Sequence, residues 1–229
     1  MHIVYEPIWG SQERWNLNLV KPILVCEPHE EAEALATGWL INNSTWYLSR
    51  SVRIKTSKLL DRIKNYTLDL VTNPSSDQVN AIGLLWWSYL QRKHLPSLYS
   101  PFTDKDRSSW LVLKDQEGAY VSFTKMVQYG GHGIESCLNA YREESGSIGK
   151  RMLELEISWA YENGYDYLYI GSGHERGSAY KADIPGFEYW TGTNWSNSVV
   201  EYKSLCVRDS EINDLTQLSE LWNPKSPLL

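Results

Sequence analysis

Apolar positions at residues 148–160 set the frame for the whole chain. Ile148, Met152, Leu155 and Trp159 fall at steps of four, three and four, which is one face of a helix. Leu153, Ile157 and Ala160 widen that stripe, so the helix predicted over Ser147–Asn163 packs on a sheet. Asn163-Gly164 breaks it, and an aromatic strand follows over Tyr165–Gly171. Upstream, strand-like runs at Trp110–Leu113, Ala119–Val127 and Ile134–Arg142 are joined by turns at Asp115–Gly118 and Gly130-Gly131-His132-Gly133. Downstream, a short helical segment at Glu175–Ala182 precedes a closing hairpin through Phe187–Trp195 and Val199–Leu205.

The first part of the chain alternates in the same way. Pro28–Leu40 reads as a short helix with Glu30, Glu31 and Glu33 near its start and Gly38 at its end. Thr45–Ile54 reads as a strand. Thr56–Tyr66 reads as a helix with Leu59, Leu60 and Ile63 inward and Lys58, Arg62 and Lys64 outward. Asn73-Pro74-Ser75 is a turn and cap before a long helix over Gln78–Lys93, and Leu95–Asp106, with Pro96 and Pro101, is a loop. These elements predict an α/β fold with a mixed, mostly antiparallel sheet flanked by helices. They also predict an N-terminal α/β region over 1–95 and a second region over 96–229.

Composition narrows the class. The chain has 229 residues, enough for a sizeable core, and its charge of −6 does not advertise nucleic-acid binding. That average hides a basic stretch in which Arg50, Arg53, Lys55, Lys58, Arg62 and Lys64 stand against Asp61 alone. It is either a phosphate-binding face or a solvated helix face. Eleven Trp and fifteen Tyr against three Phe supply rings with a polar tip, suited to the walls of a wet cleft. Three scattered cysteines without a CxxC pair, and no apolar run of spanning length, predict a cytoplasmic protein without a membrane segment. The five histidines have no metal-ligand spacing, so no metal is expected.

The candidate chemistry lies at the start of the 147–163 helix. A Gly/Ser turn over Ser145–Gly149 leaves backbone N–H groups free at the positive end of the helix dipole, which favours anionic or carbonyl oxygens. The order of three strands, turn, helix and strand resembles the GNAT acyltransferase superfamily. Glu144 falls where acetyl-CoA-using members carry a basic residue, which disfavours a pyrophosphate there. Ser147-Ile148-Gly149, Tyr167-Leu-Tyr-Ile-Gly171, Tyr180-Lys181-Ala182 and Pro185…Glu188 together resemble the aminoacyl-tRNA–protein transferases, the arginyl and leucyl enzymes of the N-degron pathway. Gly38-Trp39, Trp46-Tyr47 and Arg50-Ser-Val-Arg53 resemble their N-terminal stretch, without the cysteines that the family clusters there.

The resemblance implies transfer of an amino acid from aminoacyl-tRNA, as co-substrate and with no other cofactor, to an amine of a protein, peptide or small molecule. It implies a donor site at Arg142, Ser147, Ile148, Gly149, Lys150, Gly171 and Trp195, with tRNA contacts from the basic stretch. Tyr180 would donate to the leaving hydroxyl and Lys181 would meet an anion. Glu156, off the Ile148–Trp159 stripe, is either exposed or holds the donor's α-amine. An acetyl-CoA-dependent N-acetyltransferase and a non-catalytic GNAT-like binding domain are the alternatives. His174, after Gly171-Ser-Gly173, is a further candidate; a Gly-x-Ser-x-Gly elbow is absent, so a hydrolase triad is not expected.

Overall fold

The computed structural model describes residues 1–7, 20–42, 45–94, 100–103, 105–143 and 147–212. Glu144, Ser145, Gly146 and half of the expected 95–106 loop lie outside them. The chain is a mixed α/β protein whose sheets are mostly antiparallel. Its contacts divide it into two interleaved compact units, 1–55 with 130–133 and 169–229, and 56–129 with 134–168. The boundary expected at 95/96 lies outside the described residues.

The second unit is a three-layer sandwich. Its strands β6 (Thr67–Val71), β7 (Ser108–Lys114), β8 (Tyr120–Tyr129) and β9 (Gly133–Tyr141) lie in sheet order β9-β8-β7-β6. Helix α2 (Ser76–Lys93) starts where the sequence places it. Ser75 accepts from the amide of Gln78 while the Gln78 side chain accepts from the amide of Ser75, a capping box. Ile82 and Leu85 of α2 pack with Trp110, Val112 and Phe123 on one face of the sheet. Helix α3 (Ile148–Glu162) packs against β8 as well. In the β7–β8 register Val112 faces Phe123 and Leu111 faces Thr124, so strand alternation divides Phe123 from Thr124 between the two faces.

One expected element is absent. Residues 56–66 form no helix. The backbone N–H groups of Leu59 and Leu60 donate to the Ser158 hydroxyl on α3 at 3.0 and 2.9 Å, and the Thr56 hydroxyl donates to the carbonyl of Tyr165. These long-range bonds anchor the irregular segment to Ser158 and to the turn after α3, and Ile63 is still buried.

The first unit holds a sheet of order β1-β2-β4-β3, from His2–Pro7, Val20–Val25, Thr45–Leu48 and Trp39–Asn42. It also holds the run β12-β11-β5-β10 (Trp195–Ser196, Phe187–Trp190, Ser51–Lys55 and Tyr167–Ser172), with the first two residues of β10 belonging to the second unit. The expected strand over Thr45–Ile54 is thus two strands in different sheets, broken at Ser49-Arg50. Helix α1 (Glu31–Ala36) ends at Gly38, whose φ of +88° and contact with the Trp190 ring leave no room for a Cβ. The closing hairpin is also corrected, because Val199–Asp209 is helix α4. Its buried residues Tyr202, Cys206 and Asp209 follow at steps of four and three, a helical face that outweighs the β-branched Val199-Val200 pair. No helix among the described residues is long and apolar enough to cross a membrane.

Candidate functional site

The donor site is expected at the start of α3 (Ile148–Glu162). Ser147 is the N-cap, but its side chain makes no capping bond and no acidic residue stands in the first turn. Among the described residues no acidic side chain in that turn offsets the dipole's positive end at the N–H groups of Ile148, Gly149 and Lys150, and Lys150 and Arg151 add charge. Gly149 has a packing reason of its own. A Cβ there would stand 2.8 Å from Cε1 of Tyr141, whose ring is held edge-on by Tyr89 at 5.3 Å and overlaid by Arg92 at 5.2 Å. The glycine lets α3 sit tightly on the end of β9.

Glu156, two turns along α3, is not exposed. It is 1% accessible and its carboxylate accepts from Thr124 Oγ1 at 2.5 Å, Ser136 Oγ at 2.7 Å and Asn139 Nδ2 at 3.4 Å. All three donors are neutral. Burial pushes the carboxyl pKa above its ordinary value, and the three hydrogen bonds only partly oppose that. This is a carboxyl group prepared on the inner face of α3 with no cation among its hydrogen-bond partners.

The remaining expected residues are placed as follows. Arg142 pairs loosely with Asp115 at 3.6 Å and lines a groove beside α2. Gly171 has φ +73° in β10. Tyr180 is exposed, while Lys181 Nζ donates to the carbonyls of Ile170 and Ser172 at 2.7 and 2.8 Å, bracing the end of β10. Trp195 is engaged on several sides. Its Nε1 donates to Ala36, Arg53 lies 4.0 Å over its ring, and Trp190 meets it edge-on.

The basic stretch splits. Lys55, Lys58, Arg62 and Lys64 are exposed, with Lys58 paired to Asp61 and Glu162. Arg53 is bound by Glu188. Arg50 is buried and ion-paired to Asp209 at 3.0 Å, so its guanidinium is a structural group rather than a phosphate contact.

Asp209 was not singled out by the sequence. It gathers Arg50 and His174 on Oδ2 and Arg208 on Oδ1. Burial alone would raise its pKa, but the bonds from His174 and Arg208 and the Arg50 charge bring it down to about 2. The Arg50 backbone N–H donates to His174 Nε2 at 3.1 Å, so that nitrogen is an acceptor and Nδ1 carries the proton toward Asp209. The Ser49 hydroxyl lies 3.0 Å from the same Nε2. The order is that of a serine–histidine–aspartate relay. However, the Asp209 charge is spent on two arginines. The relay pins the β4–β5 turn to the end of α4.

No protein-family model matches the chain, and no curated protein matches it in sequence. Solved structures that resemble it in part include L-PGS from Bacillus licheniformis, at 20% identity and TM-score 0.45, covering 55% of this chain and 46% of that one. A GCN5-related N-acetyltransferase from Kribbella flavida aligns at 12% identity and TM-score 0.38, covering 55% of this chain and 48% of that one. A tandem GNAT protein from the clavulanic acid biosynthesis pathway aligns at 12% identity and TM-score 0.38, covering 74% and 54%. The chain spans about half the length of each.

Proposed function

We propose that the chain is an acyltransferase that moves an amino acid from aminoacyl-tRNA to an amine and forms an amide bond. The observation that carries this reading is Glu156: a buried carboxyl among neutral donors, on a helix whose first turn is uncapped and basic. A donor held by its terminal ribose or phosphate at Ile148–Lys150 would bring a protonated α-amine as the counter-charge this carboxyl lacks among those donors. The ester is already activated, so positioning does most of the work. The acceptor nitrogen attacks the ester carbon, the bond to the ribose oxygen breaks, and that oxygen takes up the proton the amine gives up. The exposed Lys55, Lys58, Arg62 and Lys64 are the proposed tRNA contacts, each neutralised phosphate adding about 0.7–0.9 to the salt slope.

A second reading has one observation in its favour. The same basic, uncapped turn suits the pyrophosphate of an acyl-CoA. Incubation with a pool of radiolabelled aminoacyl-tRNAs and an amine acceptor separates the two. The first reading expects one ester to be consumed, and Glu156→Gln to lower transfer at least roughly a hundredfold. Consumption of acetyl-CoA without tRNA-dependent product would overturn it in favour of the second.

A further inference from the structure

A groove in the second unit lies apart from α3 and is not used by the reaction above. It runs between the first half of α2 and the β7–β8 turn, with a volume of about 530 Å³. That is within the ~300–1,000 Å³ typical of small-ligand sites. Its wall is apolar, made by Ala81, Leu84, Leu85 and Tyr120, and Leu84 is 70% accessible there. Gly118, whose Cβ position is open space, leaves the mouth unobstructed.

Two charges of opposite sign border this wall. The Arg142 side chain is 43% accessible, and its acidic neighbour Asp115 is 3.6 Å away, beyond a good hydrogen bond. Oδ1 of Asp115 is committed to the turn, where it accepts from the N–H groups of Glu117 and Ala119. Asp77 is exposed and has no ion pair or hydrogen bond among the described residues. Arg142 offers a planar fork for a carboxylate, and Asp77 offers a carboxylate for an ammonium. A phosphate or a plain fatty acid would meet repulsion from Asp77, and a plain amine would meet it from Arg142. The groove is also larger than a single amino acid fills.

We propose that this groove binds a short zwitterionic peptide with apolar side chains, its carboxylate on Arg142, its ammonium on Asp77 and its side chains on the Leu84 wall. The inference does not rest on the transfer reaction, and its test uses no tRNA. L-Leucyl-L-leucine would be titrated into the full chain by calorimetry, with amide chemical shifts locating the site. The expected result is saturable binding with shifts in 77–88 and 118–120. N-acetylation or C-amidation of the peptide, Arg142→Gln, and Asp77→Asn should each weaken it roughly tenfold. Leu84→Asn, at an exposed position that does not endanger folding, should weaken it as well. No saturable binding, equal binding of the blocked peptides, or shifts confined to other residues would each overturn the proposal.

Discussion

The two units each bury a carboxylate, and the two are treated in opposite ways. Asp209 in the first unit is surrounded by Arg50, Arg208 and His174 and is held at about 2. Glu156 in the second unit is bonded by two hydroxyls and an amide, and its pKa is raised. A carboxylate matched by cations is finished as a structural element, because nothing further is gained by bringing it a ligand. One matched only by neutral dipoles keeps its affinity for a cation. The same contrast separates Arg50, consumed by an ion pair, from the exposed Arg62 and Lys64 that follow it in the chain.

Removing one partner of the finished cluster should give the largest effect on folding. Asp209→Ala leaves the Arg50 guanidinium buried without its counter-ion, which costs about 3–5 kcal/mol. Urea unfolding at pH 7 would measure it. A loss below about 1 kcal/mol would mean that the cluster is no more structural than an exposed ion pair, and the comparison would fail.

A smaller effect follows from acid. Asp209 is held below the unfolded carboxylate value of about 3.9, so the stability it contributes is present above that pH and is lost as pH falls toward 2. A shift of this size is worth about 2 kcal/mol. Other carboxylates titrate in the same range, so the quantity to measure is the difference between wild type and Asp209→Asn in urea midpoint from pH 5 to 2.5. That difference should shrink as the pH drops; a constant difference would sever the link to Asp209 ionisation.

The sequence carries local evidence well and distant evidence poorly. Helix α3 and the capping box of α2 are legible because apolar spacing and cap residues are local. Glu156 looks exposed because Ile148, Met152, Leu155 and Trp159 alone define a narrow stripe. The buried arc of α3 also takes in Glu156, Ile157 and Ser158, since the sheet covers one side and residues 59–60 reach another. Leu59, Leu60 and Ile63 mimic a helical face, yet their conformation is decided by a hydroxyl nearly a hundred residues away. The partners of Glu156 leave no distinct trace, because Thr124 and Ser136 stand among other polar residues, Ser122 and Lys125 in β8 and Glu135 and Asn139 in β9. Asp209 is found only once 199–209 is taken as a helix, which places it three residues past Cys206 on the buried face.

The smallest effect, and the one with the opposite sign, belongs to Glu156→Gln. A buried carboxyl with a raised pKa contributes most to stability while protonated, below about pH 4.3, and that contribution is lost as pH rises through its folded pKa. Glutamine keeps an acceptor for Thr124 and Asn139, turns its amide toward the Ser136 oxygen, and carries no charge to desolvate. At pH 7 the variant should therefore be as stable as wild type or more so by up to about 1 kcal/mol, and the gap should close as both are taken to pH 4. The Asp209 variants are expected to lose stability at neutral pH, whereas this one is expected to keep or gain it there. Denaturant midpoints at pH 4 and pH 7 decide it. If Glu156→Gln is destabilised at pH 7, the carboxyl is one more satisfied structural anion and the distinction between the two clusters disappears.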